Sequence, residues 1–118
     1  MKEYLLILKT EGSVWTDLSP DQLQQHLKNG GAYIGRLLQE GKLKSANPVE
    51  KGGRTVSGPA GALKDGPFNE TKELLAGYFV ITAENLDEAV AIAKANPIFG
   101  DIPTTIEVHP LMAIQPPN

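Results

Sequence analysis

Two short stretches of the chain, residues 4–8 and 78–81, are apolar at every position instead of alternating between apolar and polar residues. Stretches this short predict β-strands. Successive side chains of a strand point to opposite faces of its sheet, so each strand presents apolar side chains to both faces. Leu6 and Leu8 would face one side, for example, and Leu5 and Ile7 the other. A sheet built around these strands therefore needs cover on both faces.

Two helices are predicted from capping signals. Ser19, Pro20 and Gln22 supply an N-cap, a proline at the first helical position and a capping box, and an apolar stripe follows over residues 20–40. Asn85 begins a second, shorter helix with the same kind of signal.

The first helix contains a glycine pair, Gly30 and Gly31, near its centre. A glycine in a helix interior costs about 1 kcal/mol relative to alanine. Such a pair indicates either a kink or a neighbour that packs very close, and we favour close packing.

The order of the predicted elements defines the fold class. Strands are expected over residues 3–9, 43–46, 54–57, 74–82 and 104–109, with residues 58–69 as a loop and a frayed tail from Pro116. Apart from extra short pieces, the order is strand, helix, strand, strand, helix, strand, which is the α+β, ferredoxin-like split βαβ arrangement with an antiparallel sheet. Right-handed crossovers place both helices on one face of that sheet. The chain is short enough to form one domain over residues 1–118.

The second face of the sheet then has no helix to cover it. Two helices suffice for one face only, so the sheet of another copy is the expected cover. The sequence therefore predicts a homodimer, or a larger assembly, of the dimeric α+β barrel kind.

Composition excludes several classes of function. The chain has no cysteine, which rules out disulfides, thiol nucleophiles and cysteine-bound metals. Its formal net charge is -3 and its basic residues form no cluster, so we expect no nucleic-acid partner and no membrane binding. We find no local histidine pair, phosphate loop or dinucleotide fingerprint, and so expect no metal and no cofactor. The apolar runs are far below the roughly 18 residues that span a bilayer, and no leader peptide is evident, so we expect a cytoplasmic protein.

Residues 65–73 read DGPFNETKE and match the pattern DGPFxExKE at every fixed position. Further motifs follow in order: HLKNGGAYIGRLLQEGKL at 26–43, GGR at 52–54, GYF at 77–79, LDEA at 86–89 and EVHP at 107–110. Together they resemble the YCII-related superfamily, and within it the branch known by the DGPF motif. The resemblance covers nearly the whole chain and predicts a single YCII-related domain.

This resemblance implies a dimeric α+β barrel with cavities between sheet and helices. Relatives are described as having a histidine and aspartate pair in a pocket, and the matching positions look like His26 and Asp65. The branch often has an aromatic residue where this chain has Gly30 or Gly31, and usually an arginine where it has His109. Both departures are expected to reshape the pocket. Members of the branch are linked with extracytoplasmic-function sigma factors, which implies a partner role as an alternative.

The candidate residues also have simpler interpretations. His26 lies beside the apolar stripe, where its ring can reach a cavity edge near the Tyr33 hydroxyl, or stay half in water without a partner. Asp65 precedes Gly-Pro and can cap a turn. If its loop folds back over the first helix, Asp65 would orient the imidazole of His26 and raise its basicity. His109 faces either a central space of the dimer or solvent.

Two hypotheses of function follow. In the first, His26 and Asp65 are the catalytic acid/base pair of a cofactor-free enzyme of isomerase or lyase type, and Tyr33 and His109 bind its small organic substrate. In the second, the chain is a ligand-binding or regulatory module without turnover, whose partner is a small molecule or a sigma factor.

Overall fold

The structure is a computed structural model that describes residues 1–67 and 73–114. In chain order the elements are β1 (Lys2–Glu11), α1 (Val14–Asp17), α2 (Pro20–Gln39), β2 (Leu43–Pro48), β3 (Arg54–Ser57), β4 (Lys64–Pro67), β5 (Glu73–Ala83), α3 (Leu86–Lys94), a 3-10 turn (Pro97–Gly100) and β6 (Thr104–Pro110).

The main sheet has four antiparallel strands in the order β2-β5-β1-β6. With the β3–β4 hairpin set aside, this is the order of the ferredoxin-like split βαβ fold, so the predicted α+β class is confirmed. The two doubly apolar runs form the two central strands. Their register places Leu6 of β1 opposite Phe79 of β5 and Val108 of β6.

The core lies between one face of this sheet and the two long helices. Both helices begin at the predicted caps: Ser19 and Gln22 form the reciprocal capping box of α2, and the Asn85 side chain accepts from the backbone N–H of Glu88 at α3. The buried apolar residues form a single cluster: Tyr4, Leu6, Leu8, Phe79, Ile81 and Ala83 from the strands, Tyr33, Leu37, Ala89, Ile92 and Ala93 from the helices, and Ile98 and Ile102 after them.

The opposite face of the sheet carries an apolar patch. Leu5 pairs with Val80, and Ile7 pairs with Tyr78, so the four side chains stand side by side at the centre of the sheet. All four are partly exposed, because both helices pack on the other face. We call this group of four residues the outer patch.

Ion pairs border the outer patch. Lys9 Nζ lies 2.6 Å from Glu107 Oε2, and Glu107 also contacts His109 at 2.8 Å. The hydrogen bond from Lys9 holds the pKa of Glu107 below its ordinary value, and the same bond raises the pKa of Lys9. Both groups of this pair are therefore charged at neutral pH.

Residues 64–67 differ from the sequence prediction, which placed them in a loop. They form β4, which pairs with β3 in an antiparallel hairpin. The many glycine and proline residues of this stretch favoured a loop. Pro67, however, lies at the end of a strand with a single partner strand, where the missing N–H costs little backbone hydrogen bonding. Three predictions fall partly or wholly outside the described residues. They concern residues 68–69 of the loop, most of the DGPF motif after residue 67, and the tail from Pro116.

Candidate functional site

A cavity of about 870 Å³ opens between α2 and the sheet. Its walls come from α1, α2, the end of β2 and the beginning of β5, and they are mainly apolar, with Leu8, Leu27, Ile34 and Phe79 among them. This volume lies within the range of small-molecule sites, which are typically apolar with a few polar groups. His26 is one of those polar groups.

His26 forms a pair with an aspartate that the sequence analysis did not single out. Its Nδ1 lies 2.7 Å from Oδ2 of Asp101, and the two side chains are 15% and 21% exposed. Asp101 directly follows the 3-10 turn, which packs against α2. A carboxylate can only accept a hydrogen bond, so Nδ1 of His26 carries the hydrogen. In the neutral ring this leaves the lone pair on Nε2, the atom that can act as a base.

Asp65, the predicted partner of His26, is placed elsewhere. It lies on β4, where its Oδ1 is 3.2 Å from Nη2 of Arg54 on β3. Both side chains are more than half exposed, and neither lines the cavity. The structure therefore replaces the predicted His26–Asp65 pair with His26–Asp101, because pairing with β3 holds residue 65 in a hairpin away from α2.

Tyr33 and His109, predicted to bind substrate, occupy different places. Tyr33 lines the cavity, but its hydroxyl donates to the backbone oxygen of Ile92. Burial raises the pKa of Tyr33 to about 12, so the hydroxyl keeps its hydrogen at neutral pH. His109 is exposed on the opposite face of the sheet, beside Leu5 and hydrogen-bonded to Glu107, and does not line the cavity.

The glycine pair of α2 has a different environment from the one expected. A Cβ built on Gly30 or Gly31 would have no heavy atom of the described residues within 4 Å. The expectation of close packing at this pair was therefore wrong. The helix runs without interruption from Pro20 to Gln39, and both glycines line the cavity. The open volume beside α2 therefore takes the place of a packed neighbour.

Two residues of this site were missed by the sequence analysis. Asp101 comes after a Gly in a turn-rich stretch, and 75 positions separate it from His26, so no local pattern links them. Trp15, at the cavity wall on the four-residue helix α1, is 57% exposed. A serine N-cap at Ser13 is the signal that could have predicted α1.

Over residues 1–67 and 73–114, no group of three or more histidine, aspartate or glutamate side chains is arranged to hold a metal ion. Within the same part of the chain, no helix is both long enough and apolar enough to cross a membrane.

Fold and cavity together define an α+β protein with a ferredoxin-like antiparallel sheet and a ligand-sized space under its longest helix. The profile of the YCII-related domain matches residues 1–113, so the chain belongs to the YCII-related domain family. An uncharacterized protein of Rhizobium meliloti (strain 1021) is 31% identical over 124 aligned positions, which cover 96% of this chain and 94% of that protein.

A solved structure with a similar outline is 5-chloro-2-hydroxyhydroquinone dehydrochlorinase from Burkholderia phenoliruptrix AC1100, in complex with 2,5-dihydroxybenzoquinone. It is 20% identical to this chain, with a TM-score of 0.44, and the match covers 89% of this chain and 90% of that one.

Proposed function

We propose that this chain is a small-molecule enzyme of isomerase or lyase type, in which His26 transfers a proton and Asp101 positions it. The observation that carries the proposal is that His26 lines a largely apolar cavity of about 870 Å³ while its Nδ1 lies 2.7 Å from Oδ2 of Asp101. The carboxylate fixes the ring so that Nε2 is the basic atom, and the two side chains themselves are mostly buried, at 15% and 21% exposure.

The proposed step starts when Nε2 removes a proton from a carbon next to a carbonyl or similar group of the ligand. The C–H electron pair moves into the ligand, and the imidazolium that forms is stabilised by Asp101. Return of the same proton to another atom of the ligand gives an isomer. If a leaving group departs with the electron pair of its bond and takes the proton from Nε2, the result is elimination and the neutral base is restored. Neither route needs an oxidant or reductant.

A turnover screen with small carbon acids, in wild type and two variants, tests this proposal. Asp101→Ala removes the carboxylate that orients His26, and Asp65→Ala is the matched control because its carboxylate lies in the hairpin. We expect a loss of about 10²–10⁴-fold in kcat for Asp101→Ala, the usual size of an acid/base contribution, and little change for Asp65→Ala. Equal activity in both variants would overturn the assignment of Asp101.

The alternative, a ligand-binding or regulatory module, uses the same cavity without chemistry at His26. A ligand that raises the melting temperature and is recovered unchanged, with the same affinity in His26→Gln, would favour it. Association with a sigma factor belongs to this alternative, and co-purification of such a protein with the tagged chain tests it.

We further propose that a second copy of this chain covers the outer patch. Four apolar side chains with ion pairs at their border resemble the centre and rim of a protein interface. The border carries both Lys9 and Glu107, so two copies related by a twofold axis can pair these charges across the contact. The β3–β4 hairpin packs little on the rest of the described chain and exposes Val56, which gives it surface for the same partner.

A further inference from the structure

The buried stripe of α2 has one position without a side chain. On this helix His26, Gly30, Tyr33 and Leu37 follow one another at spacings of three or four residues and so share a face. Tyr33 and Leu37 are buried in the core, and His26 is mostly buried beside Asp101. At Gly30 the same face meets open space, because no heavy atom of the described residues lies within 4 Å of a Cβ built there.

That open space lies one helical turn from the imidazole. Gly30 follows His26 by four residues, and both line the cavity together with Gly31. A larger side chain at position 30 would project from the same face into this space. The volume next to the proposed base therefore depends on the absence of a side chain at this position.

The surroundings indicate what the space can hold. Apolar side chains form most of its walls, and Trp15 adds an indole ring at a wall that is open to solvent. An indole offers a flat surface on which another flat ring can stack. Polar surface is the smaller part of the lining, and besides His26 it includes the charged residues Glu50 and Lys51.

We propose that Gly30 is a specificity-determining residue, which opens the cavity beside His26 to a ligand with a flat, mainly apolar ring body. This proposal rests on the proposed function, because it places the reacting atom of the ligand at His26. Beyond that function, it names the class of ligand and the residue that leaves room for it.

The matched control is Gly35 of the same helix. A Cβ built there also meets nothing within 4 Å, but Gly35 is exposed and does not line the cavity. Leucine at either position improves helix propensity to the same extent. The two substitutions therefore differ in whether they fill the cavity.

The probe is 1-anilinonaphthalene-8-sulfonate, an aromatic dye with a flat naphthalene ring that accepts energy from tryptophan. Trp15 is the chain's one tryptophan and lines the cavity, so dye bound there quenches its emission. We expect wild type and Gly35→Leu to bind the dye with the same affinity, and Gly30→Leu to bind at least about tenfold more weakly with loss of energy transfer.

If Gly30→Leu is folded by circular dichroism and binds the dye with the affinity and energy transfer of wild type, the proposal is overturned. Dye bound on the outer patch would give this result, because neither substitution lies on that face. Should the leucine variant not fold, Gly30→Ala decides: weaker binding than in Gly35→Ala supports the proposal, and equal binding overturns it. Asp101→Ala should bind the dye like wild type. Failure of the acid/base proposal therefore shows in turnover alone, and failure of the ligand proposal in dye binding alone.

Discussion

Nδ1 of His26 and Oδ2 of Asp101 lie 2.7 Å apart although 75 positions separate them in the chain. The contact joins the first half of α2 to the residue directly after the 3-10 turn that follows α3. The pair therefore depends on the packing of the 3-10 turn against α2.

This contact predicts the tautomer of His26. The hydrogen bond to Asp101 requires the neutral ring to carry its hydrogen on Nδ1, whereas a free imidazole side chain favours Nε2–H. Nitrogen-15 chemical shifts of the ring, measured at a pH where it is neutral, should show the Nδ1–H form in wild type and in Asp65→Ala. In Asp101→Ala the ring should change to the Nε2–H form. An Nε2–H ring in wild type would show that the contact is absent in solution.

The outer patch predicts the oligomeric state. Wild type should sediment as a dimer or larger at micromolar concentration, because in the described part of the chain no helix covers the four apolar side chains at the centre of the sheet. Ile7→Lys places a charge at the centre of the patch and should give monomers. Leu38→Lys is the control, since Leu38 is 58% exposed on α2 and away from this face. A wild-type monomer at this concentration would contradict the proposed dimer.

Tyr33 predicts a loss of stability at high pH. Its pKa is raised to about 12 by burial, against an ordinary value of 10.0, so the folded chain holds the proton more tightly than the unfolded chain. The stabilisation is complete below about pH 10 and is lost as the pH rises through about 12.

Comparison with Tyr33→Phe isolates this effect from the titration of lysines. At neutral pH the variant should be less stable by about 1 kcal/mol, because the carbonyl of Ile92 loses its donor. Between about pH 10 and 12 the free energy of unfolding of wild type should fall relative to the variant by up to roughly 2–3 kcal/mol. Urea unfolding at each pH measures the two free energies of unfolding. A difference between wild type and Tyr33→Phe that stays constant with pH would contradict the prediction.

Gly12 predicts a second stability difference. Its φ of 81° lies in the left-handed region, as does that of Gly41 at 71°, so alanine at either position costs about 1–2 kcal/mol in backbone strain. At Gly12 the added Cβ would also displace the carboxylate of Asp17, which accepts from the N–H of Ser13 at 2.8 Å.

We therefore expect Gly12→Ala to cost about 1 kcal/mol more than Gly41→Ala, where a Cβ meets nothing within 4 Å. Thermal or urea unfolding of the two variants measures the difference. Equal losses would show that the contact of Asp17 with Ser13 contributes nothing to stability.

The fold could be predicted well from the sequence because its signals are local. The capping box at Ser19 and the unbroken apolar runs of β1 and β5 each depend on residues within a few positions of one another. The β3–β4 hairpin was missed because pairing with β3 outweighs the turn preference of the Gly66-Pro67 pair.

The site could be predicted only in part. His26 lies in the cavity wall as expected, because its position beside the apolar stripe of α2 determines the direction of its side chain. Its partner could not be predicted, since Asp101 is brought to α2 by the packing of the 3-10 turn, which leaves no trace in sequence spacing. Close packing at Gly30 was the wrong alternative for a related reason: a glycine in a helix indicates that a side chain is absent, but not what occupies its place.

The central strand β1 is synthesised well before the two strands that pair with it. β1 pairs with β5 on one side and β6 on the other, and both partners come late in the chain. On the ribosome, β1 leaves the exit tunnel long before either partner has been synthesised, with an apolar side chain at every position from Tyr4 to Leu8 and no strand to pair with. Formation of the central strand pairs therefore waits for the long intervening segments to be made and closed, and the apolar segment is exposed to aggregation until then.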